Sequence, residues 1–474
     1  MFIMKERSNH TDVSAPQTVT EFIKLQTGGQ TIQIGFTDQK VSPHAGLATF
    51  AGFLHWHRFG QLLGKLMPYR PGSNAGLDPA GIALGFMLGM LAGAKRLAQA
   101  AYLRQDPALA VLLQIKRMAS QSTLSRFFAR FKGAAVNLRT FDPLWRWCVE
   151  RLNSRPEGYT LDLDTTQLLH EEARGCEGVR TGYTPRGMKR CFNPLLAFLG
   201  EAKLVVGFWL RPGNTVTFNN VVGFTLGVLE RLPRYIRIGL VRADSGFFCE
   251  EWLQLLESRH LPYIVVARLY EPLRHLLRHQ QVWHPTEVLG TEVAEVLTQQ
   301  WSWSQVRRVV LVRHRLDEKE RPGGKRLLET PGYSYQVLVT SLGGQVPAIE
   351  VWRRYNGRAG CENVIKELDA HYGLPQLCLE QFWGTEAALS LAILSYNLCI
   401  LFQRHLGWRE RLSASTLRFR LFTTGGIVSL TGGFTTIRLA VPPEQRAWWR
   451  ALFDKTLSPF PNCNAVEPCW SLQS

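Results

Sequence analysis

The segment from residue 159 to residue 267 constrains the fold most, because short apolar runs alternate with amphipathic stretches in a regular order. Short apolar runs bounded by turn residues are typical of buried strands, and apolar residues recurring every three or four positions are typical of helices. The segment therefore predicts the order β-β-β-α-β-α-β and an α/β fold, a mixed sheet with flanking helices. The predicted strands are Tyr159–Asp164, Asn193–Leu199, Lys203–Leu210, Ile236–Val241 and Tyr263–Ala267, and the predicted helices are Asn219–Leu232 and Glu250–Ser258.

Residues 269–349 interrupt this regular order. They are rich in Trp, Val and Arg, and the runs Val306–His314 and Tyr333–Thr340 are strand-like. We interpret this segment as an inserted β-rich subdomain. After it, Glu350–His371 and Phe382–Leu406 are predicted to be long helices, and the second is so continuously apolar that we expect it to be buried.

The charge of the chain indicates its partners. Lys and Arg outnumber Asp and Glu by 55 to 38, for a formal net charge of +17, and such an excess attracts polyanions, nucleic acid above all. The apolar run Ala80–Ala94 is too short to span a membrane, so we expect a buried helix there and no membrane partner. The nine cysteines include no CxxC pair, which favours reduced thiols and a cytoplasmic protein over a zinc site.

Three acidic residues lie where a mixed sheet could bring them together. Asp164 ends the first predicted strand, Asp244 follows the fourth, and Glu362 lies on the helix after the insertion. Carboxylate oxygens are ligands that Mg²⁺ prefers, and two such ions about 4 Å apart can promote phosphodiester cleavage. Asp162 is an alternative to Asp164, because residues two apart in a strand point to the same face. Glu367, which points elsewhere on the helix, is a weaker candidate than Glu362 for the third acid. We favour Asp164, since Asp162 can instead buttress the site or pair with a basic residue.

These residues resemble the insertion-sequence DDE transposases, which have an RNase H-like catalytic domain and a Tyr-Arg-Glu-Lys signature. The resemblance covers roughly residues 158–403. The three acids match through the motifs Leu161-Asp-Leu-Asp-Thr-Thr, Val241-Arg-Ala-Asp-Ser-Gly-Phe and Tyr355-Asn-Gly-Arg-Ala-Gly-Cys-Glu. The stretches Leu210-Arg-Pro-Gly-Asn214 and Gln121-Ser-Thr-Leu-Ser-Arg126 also look like stretches of this family.

The resemblance implies roles for the signature residues. Tyr355 and Arg358 have the family spacing and are expected to contact phosphates near the transposon end. The lysine expected seven residues after Glu362 is replaced by Asp369. Lys366, one helical turn after Glu362, is a possible substitute, and an ion pair of Lys366 with Glu362 is the alternative.

In relatives the β insertion stabilises a flipped base during hairpin formation, which would need an aromatic platform. Trp301 and Trp303 are candidates for this DNA contact, although tryptophans in strands are commonly core residues. The insertion also carries four arginines that could line the DNA path or form a solvated strand face, namely Arg307, Arg308, Arg313 and Arg315.

The expected organisation has a mostly helical DNA-binding domain in residues 1–150 and a catalytic domain in two parts, residues 151–268 and 350–410. Residues 269–349 form the insertion, and residues 411–474 form a C-terminal region. The resemblance implies a DNA transposase that cuts element ends and joins them to target DNA. It implies two Mg²⁺ ions, for which Mn²⁺ can substitute, a homodimer on double-stranded DNA, and a place in the bacterial cytoplasm at the nucleoid. The rival functions are a metal-dependent nuclease without strand transfer and a domesticated, non-catalytic DNA-binding protein.

Overall fold

Helices dominate the chain before the predicted sheet. The computed structural model describes residues 22–71, 76–300, 302–316, 325–326, 332–431 and 434–458. Capping side chains fix the starts of several helices: for example, Asp78 accepts a hydrogen bond from the Gly81 amide at 3.0 Å, and Ser120 accepts one from the Thr123 amide at 3.2 Å. The elements are β1 (Ile23–Thr27), β2 (Gln30–Ile34), β3 (Lys40–Ser42), α1 (Ala48–Trp56), α2 (Phe59–Leu66), α3 (Pro79–Leu91), α4 (Leu97–Tyr102), α5 (Pro107–Leu112), α6 (Gln121–Phe128) and α7 (Ala134–Val149).

The predicted β-β-β-α-β-α-β order is confirmed, with a small additional sheet after the first strand. The elements are β4 (Tyr159–Thr165), β5 (Leu168–Leu169), β6 (Arg180–Thr184), β7 (Gly187–Phe192), β8 (Leu195–Leu199), β9 (Leu204–Trp209), α8 (Val221–Arg231), β10 (Ile238–Ala243), α9 (Glu250–Ser258) and β11 (Tyr263–Val266). The core strands lie in the order β9-β8-β4-β10-β11. Strands β4, β10 and β11 are parallel, whereas β8 is antiparallel to both β4 and β9. This is the mixed sheet expected for the fold class.

The predicted insertion extends the same sheet. It contains α10 (Glu271–His279), β12 (His284–Pro285), β13 (Thr291–Thr298), β14 (Arg307–Arg315), β15 (Lys325–Arg326) and β16 (Tyr333–Thr340). Strand β16 pairs antiparallel with both β11 and β14. The insertion is therefore joined to the core sheet by backbone hydrogen bonds.

The rest of the described chain closes the fold. Its elements are α11 (Ala348–Asn356), α12 (Ala359–His371), α13 (Phe382–His405), α14 (Ala414–Leu417), a π-helical turn (Arg418–Phe422), β17 (Gly426–Thr431), β18 (Phe434–Leu439) and α15 (Arg446–Thr456). Strand β17 pairs with β3, so this segment packs back on the N-terminal part. Helix α13 is long and apolar enough to cross a membrane, but it is buried inside the fold, as its composition predicts. It packs against α3, α7 and β9, and one hydrophobic core extends from Leu47 to Leu452.

The single helix predicted over residues 350–371 is wrong, because the structure divides it into α11 and α12. In a continuous helix the Arg358 amide would donate to the Arg354 carbonyl. Here the Arg242 guanidinium donates to that carbonyl, and the Arg358 amide donates instead to the Tyr355 carbonyl at 2.9 Å. The Arg242 side chain from strand β10 thus bonds to the Arg354 carbonyl, which would otherwise accept a helical hydrogen bond at the break.

Candidate active site

Two of the predicted acids lie side by side at one edge of the core sheet. Strands β4 and β10 are parallel, and Leu163 is in register with Ala243. Asp164 follows Leu163 and Asp244 follows Ala243, so the two aspartates lie next to each other on strands about 4.8 Å apart. Asp164 is 6% exposed and Asp244 is partly exposed.

A tight turn fixes the Asp244 side chain. Its carboxylate accepts a hydrogen bond from the Gly246 amide at 2.8 Å. Arg268 also stabilises the turn, because its guanidinium donates hydrogen bonds to the carbonyls of Ser245 at 2.9 Å and Gly246 at 3.1 Å. A Cβ atom at position 246 would lie 2.8 Å from a Thr217 methyl carbon, so the turn requires glycine there. The Asp-Ser-Gly sequence thus holds the Asp244 carboxylate in one position.

Asp162, the alternative carboxylate, has a structural role. It is 1% exposed and forms two bonds with the Arg242 guanidinium, at 2.6 Å from Nε and 2.8 Å from Nη2. Paired hydrogen bonds of this kind hold both groups in one geometry. These bonds favour the buttressing role of Asp162 over the catalytic one, since both of its carboxylate oxygens bond to Arg242. Arg242 was missed as a site residue, although Asp162 and Arg242 each stand two residues before an acid and are in register with each other.

Arg358 connects the third acid to the first. Its Nη2 lies 2.8 Å from an Asp164 oxygen, and its Nη1 lies 3.6 Å from a Glu362 oxygen one helical turn later. The Arg358 side chain is 8% exposed, whereas that of Glu362 is 54% exposed. Burial opposes charge on Arg358, but Asp164, together with Cys361, Tyr355 and Asp244, outweighs burial and raises the pKa of the guanidinium.

Tyr355 completes the group from the end of α11. It is 9% exposed, and burial raises the pKa of its hydroxyl to about 12. The nearby Arg358 works against this rise, while the charges of Asp244, Asp164 and Glu362 add to it. The predicted acids, Tyr355 and Arg358 therefore lie within electrostatic range of one another.

Burial and the neighbouring charge of Asp244 both oppose ionisation of the Asp164 carboxyl. Burial raises the pKa of Asp164 to about 6; Arg358 opposes the rise and the Asp244 charge adds to it. The Cys361 thiol, which the sequence did not point to, lies 3.5 Å from the other Asp164 oxygen. A divalent cation between the two aspartates would relieve their repulsion, and carboxylate oxygens are its preferred ligands.

Glu362, the third predicted acid, does not form a metal-binding group with Asp164 and Asp244 in this structure. Within the described residues, no three His, Cys, Asp or Glu side chains are grouped closely enough to hold a metal ion. Glu362 is separated from Asp164 by the Arg358 guanidinium that contacts both. Asp164 and Asp244 lie side by side at neighbouring strand ends, whereas Glu362 stands apart from them. The residues present thus fit a divalent cation held first by Asp164 and Asp244.

The acidic and basic residues later in α12 lie in different surroundings. Lys366 is exposed and forms no ion pair with Glu362. Glu367 ion-pairs with Arg411 and accepts a hydrogen bond from the Ala414 amide at 2.9 Å, which gives it a structural role at the start of α14. Burial raises the pKa of Asp369, the residue at the expected lysine position, to about 6.

Of the two tryptophans proposed as a base platform, Trp303 is among the described residues. Trp301 lies outside the described residues. Trp303 is 4% exposed, with its ring 6.2 Å from that of Phe248 and the Arg307 guanidinium 5.3 Å from its centre. The prediction that Trp303 stacks on a DNA base is therefore corrected, because a ring packed against protein on its faces has no face left for a base.

Three of the four insertion arginines are used inside the protein. Arg307 is 3% exposed and pairs with Glu250 at 2.5 Å and Glu257 at 2.6 Å, both on α9. Arg308 and Arg313 pair with glutamates of the neighbouring strand β13. Arg307 thus attaches the insertion to helix α9 of the core, whereas Arg308 and Arg313 pair within the insertion, and the expectation that these side chains line a DNA path is not met.

Comparison with known proteins places this chain in a family. Residues 25–458 match the family described as transposase DDE domain group 1. A cryo-EM structure of a piggyBac transposase synaptic complex with hairpin DNA is similar with 13% sequence identity and a TM-score of 0.43, over 80% of this chain and 79% of that chain. No protein of curated function matches significantly. Because the family match spans nearly the whole chain, this protein belongs to the transposase DDE domain group 1 family, whose members carry out DNA transposition.

Proposed function

We propose that this chain cleaves DNA at the ends of a mobile element and joins those ends to target DNA, using Asp164, Asp244 and Glu362. The observation that carries the proposal is the placement of Asp164 and Asp244 at neighbouring parallel strand ends, with Arg358 between Asp164 and Glu362. Rigid strand ends hold reacting groups in position better than loops do.

Each residue of the site has a proposed task. Asp164 and Asp244 would hold Mg²⁺ or Mn²⁺, and Glu362 would turn toward them. Bound there, two such ions supply an activated nucleophile and stabilise charge on the leaving oxygen. Arg358, which contacts both Asp164 and Glu362, would hold a phosphate of the cut strand beside the acids.

DNA contact outside the acids would come from exposed basic groups. Lys366 lies one turn beyond Glu362 and is exposed, so we assign it a phosphate contact. The net charge of +17 favours the approach of DNA over distances beyond contact. We further infer a homodimer on DNA, because a transposition reaction handles two element ends together.

The test is cleavage and joining of a labelled duplex that carries the flanking element ends, in Mg²⁺ or in EDTA. The variants are Asp164→Asn, Asp244→Asn and Glu362→Gln, with Glu444→Gln as a matched control because Glu444 is exposed and distant in sequence. We expect a loss of at least about 100-fold in cleavage for each of the three, unchanged DNA binding, and normal cleavage by the control.

Each other outcome identifies a different function. Normal cleavage by any one of the three variants would remove that residue from the site. Cleavage without joining by the wild type would favour a nuclease. Binding without cleavage, unaffected by Mg²⁺, would favour the non-catalytic DNA-binding protein.

A further inference from the structure

Two half-buried cysteines from distant parts of the chain lie together at the start of α13. Cys176 lies in the loop between β5 and β6, and Cys378 lies in the segment that connects α12 to α13. Both are free thiols, and both side chains pack against the same hydrophobic core. Neither residue belongs to the site of the three acids, so the proposed function leaves this pair unexplained.

Hydrogen bonds join the two segments next to the cysteines. The Glu177 amide donates to the Glu380 carbonyl at 2.9 Å, and the Glu177 carboxylate accepts a hydrogen bond from the Phe382 amide at 3.0 Å. Glu177 directly follows Cys176, and Glu380 lies two residues after Cys378. The backbones that carry the two thiols are therefore neighbours, as a disulfide requires.

The contact between the segments is also close-packed. Gly178 has a φ of +83°, and a Cβ atom at this position would lie 2.4 Å from a ring carbon of Phe382. Only glycine fits both this backbone conformation and this distance. The loop that carries Cys176 is thus held against the start of α13, and the position of its thiol is restrained.

The two thiols differ in how firmly they hold their protons. Burial raises the pKa of Cys378 to about 12, and the hydrogen bond with Cys176 and the Cys176 charge add to the rise. The proton therefore stays on Cys378. Because a thiolate is the reactive form of cysteine, Cys176 is the sulfur of this pair that attacks first.

A cavity of about 500 Å³ gives solvent access to the pair. It lies between α4, α6 and the segment after α12, and Cys378 is part of its wall. The exposed residues Arg96, Gln121 and Arg126 form other parts of the wall. A small water-soluble reagent can therefore reach Cys378 without unfolding of the core.

We propose that Cys176 and Cys378 form a reversible disulfide by exchange with a small-molecule disulfide. The Cys176 thiolate attacks one sulfur of the reagent, breaks its S–S bond and releases the first small thiolate. Cys378 then gives up its proton and attacks the Cys176 sulfur, and the second small thiolate leaves. The protein is oxidised by two electrons, and the reagent is reduced to two thiols, which take up the two protons of the pair.

Such a bond would be transient in a reducing compartment, as disulfides in cytosolic proteins usually are, and would respond to oxidation. It would covalently connect the loop after β5 to the segment before α13. The inference does not depend on the proposed function, because it needs no DNA and no metal.

The experiment treats the full chain, at low protein concentration, with oxidised glutathione. Remaining thiols are alkylated, linked peptides are identified by mass spectrometry, and the melting temperature is measured before and after treatment. The variants are Cys176→Ser and Cys378→Ser. The matched control is Cys249→Ser, because Cys249 is another half-buried free cysteine and lies at the start of α9.

We expect a link between the peptides of Cys176 and Cys378 in the wild type and in the Cys249→Ser control. Dithiothreitol should reverse it. In Cys378→Ser the reaction should stop at a glutathione adduct on Cys176. The bond closes a loop of about 200 residues, so it should raise the melting temperature by roughly 3 to 6 °C in the two proteins that form it.

Three results would overturn the proposal. One is a folded wild type in which these two peptides stay unlinked at high concentrations of oxidised glutathione. Another is a link that forms without any rise in melting temperature, since the native fold would then not accommodate the bond. The third is the same rise in melting temperature in Cys176→Ser or Cys378→Ser, which would assign the effect to other thiols. None of these results bears on DNA cleavage by the three acids.

Discussion

The buried ion-pair network of Arg307 gives a sharp test of what attaches the insertion to the core sheet. The Arg307 side chain is 2% exposed and bridges Glu250 and Glu257 of α9, whose side chains are 21% and 16% exposed. Removing one member of such a network leaves the other charges buried and unpaired, which costs about 3 to 5 kcal/mol. We expect Arg307→Met to lower the free energy of unfolding by that amount.

A triple variant separates the charge effect from the loss of side-chain packing. Arg307→Met combined with Glu250→Gln and Glu257→Gln removes all three charges together. Replacing a whole buried ion network by neutral groups is often close to neutral. The triple variant should therefore recover most of the stability that Arg307→Met loses, as measured by urea unfolding with linear extrapolation.

The pH dependence gives an independent check. Although burial opposes ionisation, the hydrogen bonds from Arg307 lower the pKa of Glu250 to about 2 and also lower that of Glu257. A carboxylate with a lowered folded-state pKa stabilises the fold above its unfolded pKa, here 4.5, and this contribution is lost as the pH falls toward about 2. The stability advantage of the wild type over Arg307→Met should thus be complete at pH 6 and shrink below pH 4.5.

Two results would refute this reasoning. One is a loss of less than about 1 kcal/mol in Arg307→Met, the range of exposed ion pairs. The other is a triple variant as unstable as the single one. If Arg307→Met instead kept its stability and lost DNA affinity, the side chain would be a DNA contact, as its place among the insertion arginines first suggested.

Three further predictions concern single residues. Trp303→Ala should cost about 3 to 5 kcal/mol in urea unfolding and leave the DNA affinity of the folded protein unchanged, because the ring is buried. Lys366→Ala should weaken binding to all DNA sequences alike and reduce the slope of log affinity against log salt by about 0.9, and an unchanged slope would remove its phosphate contact. Gly357→Ala should cost about 1 to 3 kcal/mol in thermal unfolding, since its Cβ would lie 2.6 Å from Nη1 of Arg242, which two bonds hold in place; an unchanged melting temperature would contradict this.

The sequence by itself determined the core of the sheet and the places of the acids. The apolar runs of β4 and β10 end in aspartates, and the parallel pairing of these strands brings Asp164 and Asp244 together. The burial of α13 also follows from its composition, because a helix apolar on all sides has no face for water. The strands, the aspartates at their ends and the burial of α13 depend on residues close together in the chain, so a local pattern suffices to predict them.

Only the tertiary structure decided between residues that local patterns treat alike. Asp162 and Asp164 share one face of β4, and the Arg242 guanidinium from the next strand makes Asp162 structural. The same arginine divides α11 from α12 by bonding the Arg354 carbonyl. Strand periodicity could not tell a buried Arg307 from a DNA contact, because its partners lie about 50 residues earlier on α9. In each case the deciding contact joins residues far apart in sequence, and only the folded chain brings them together.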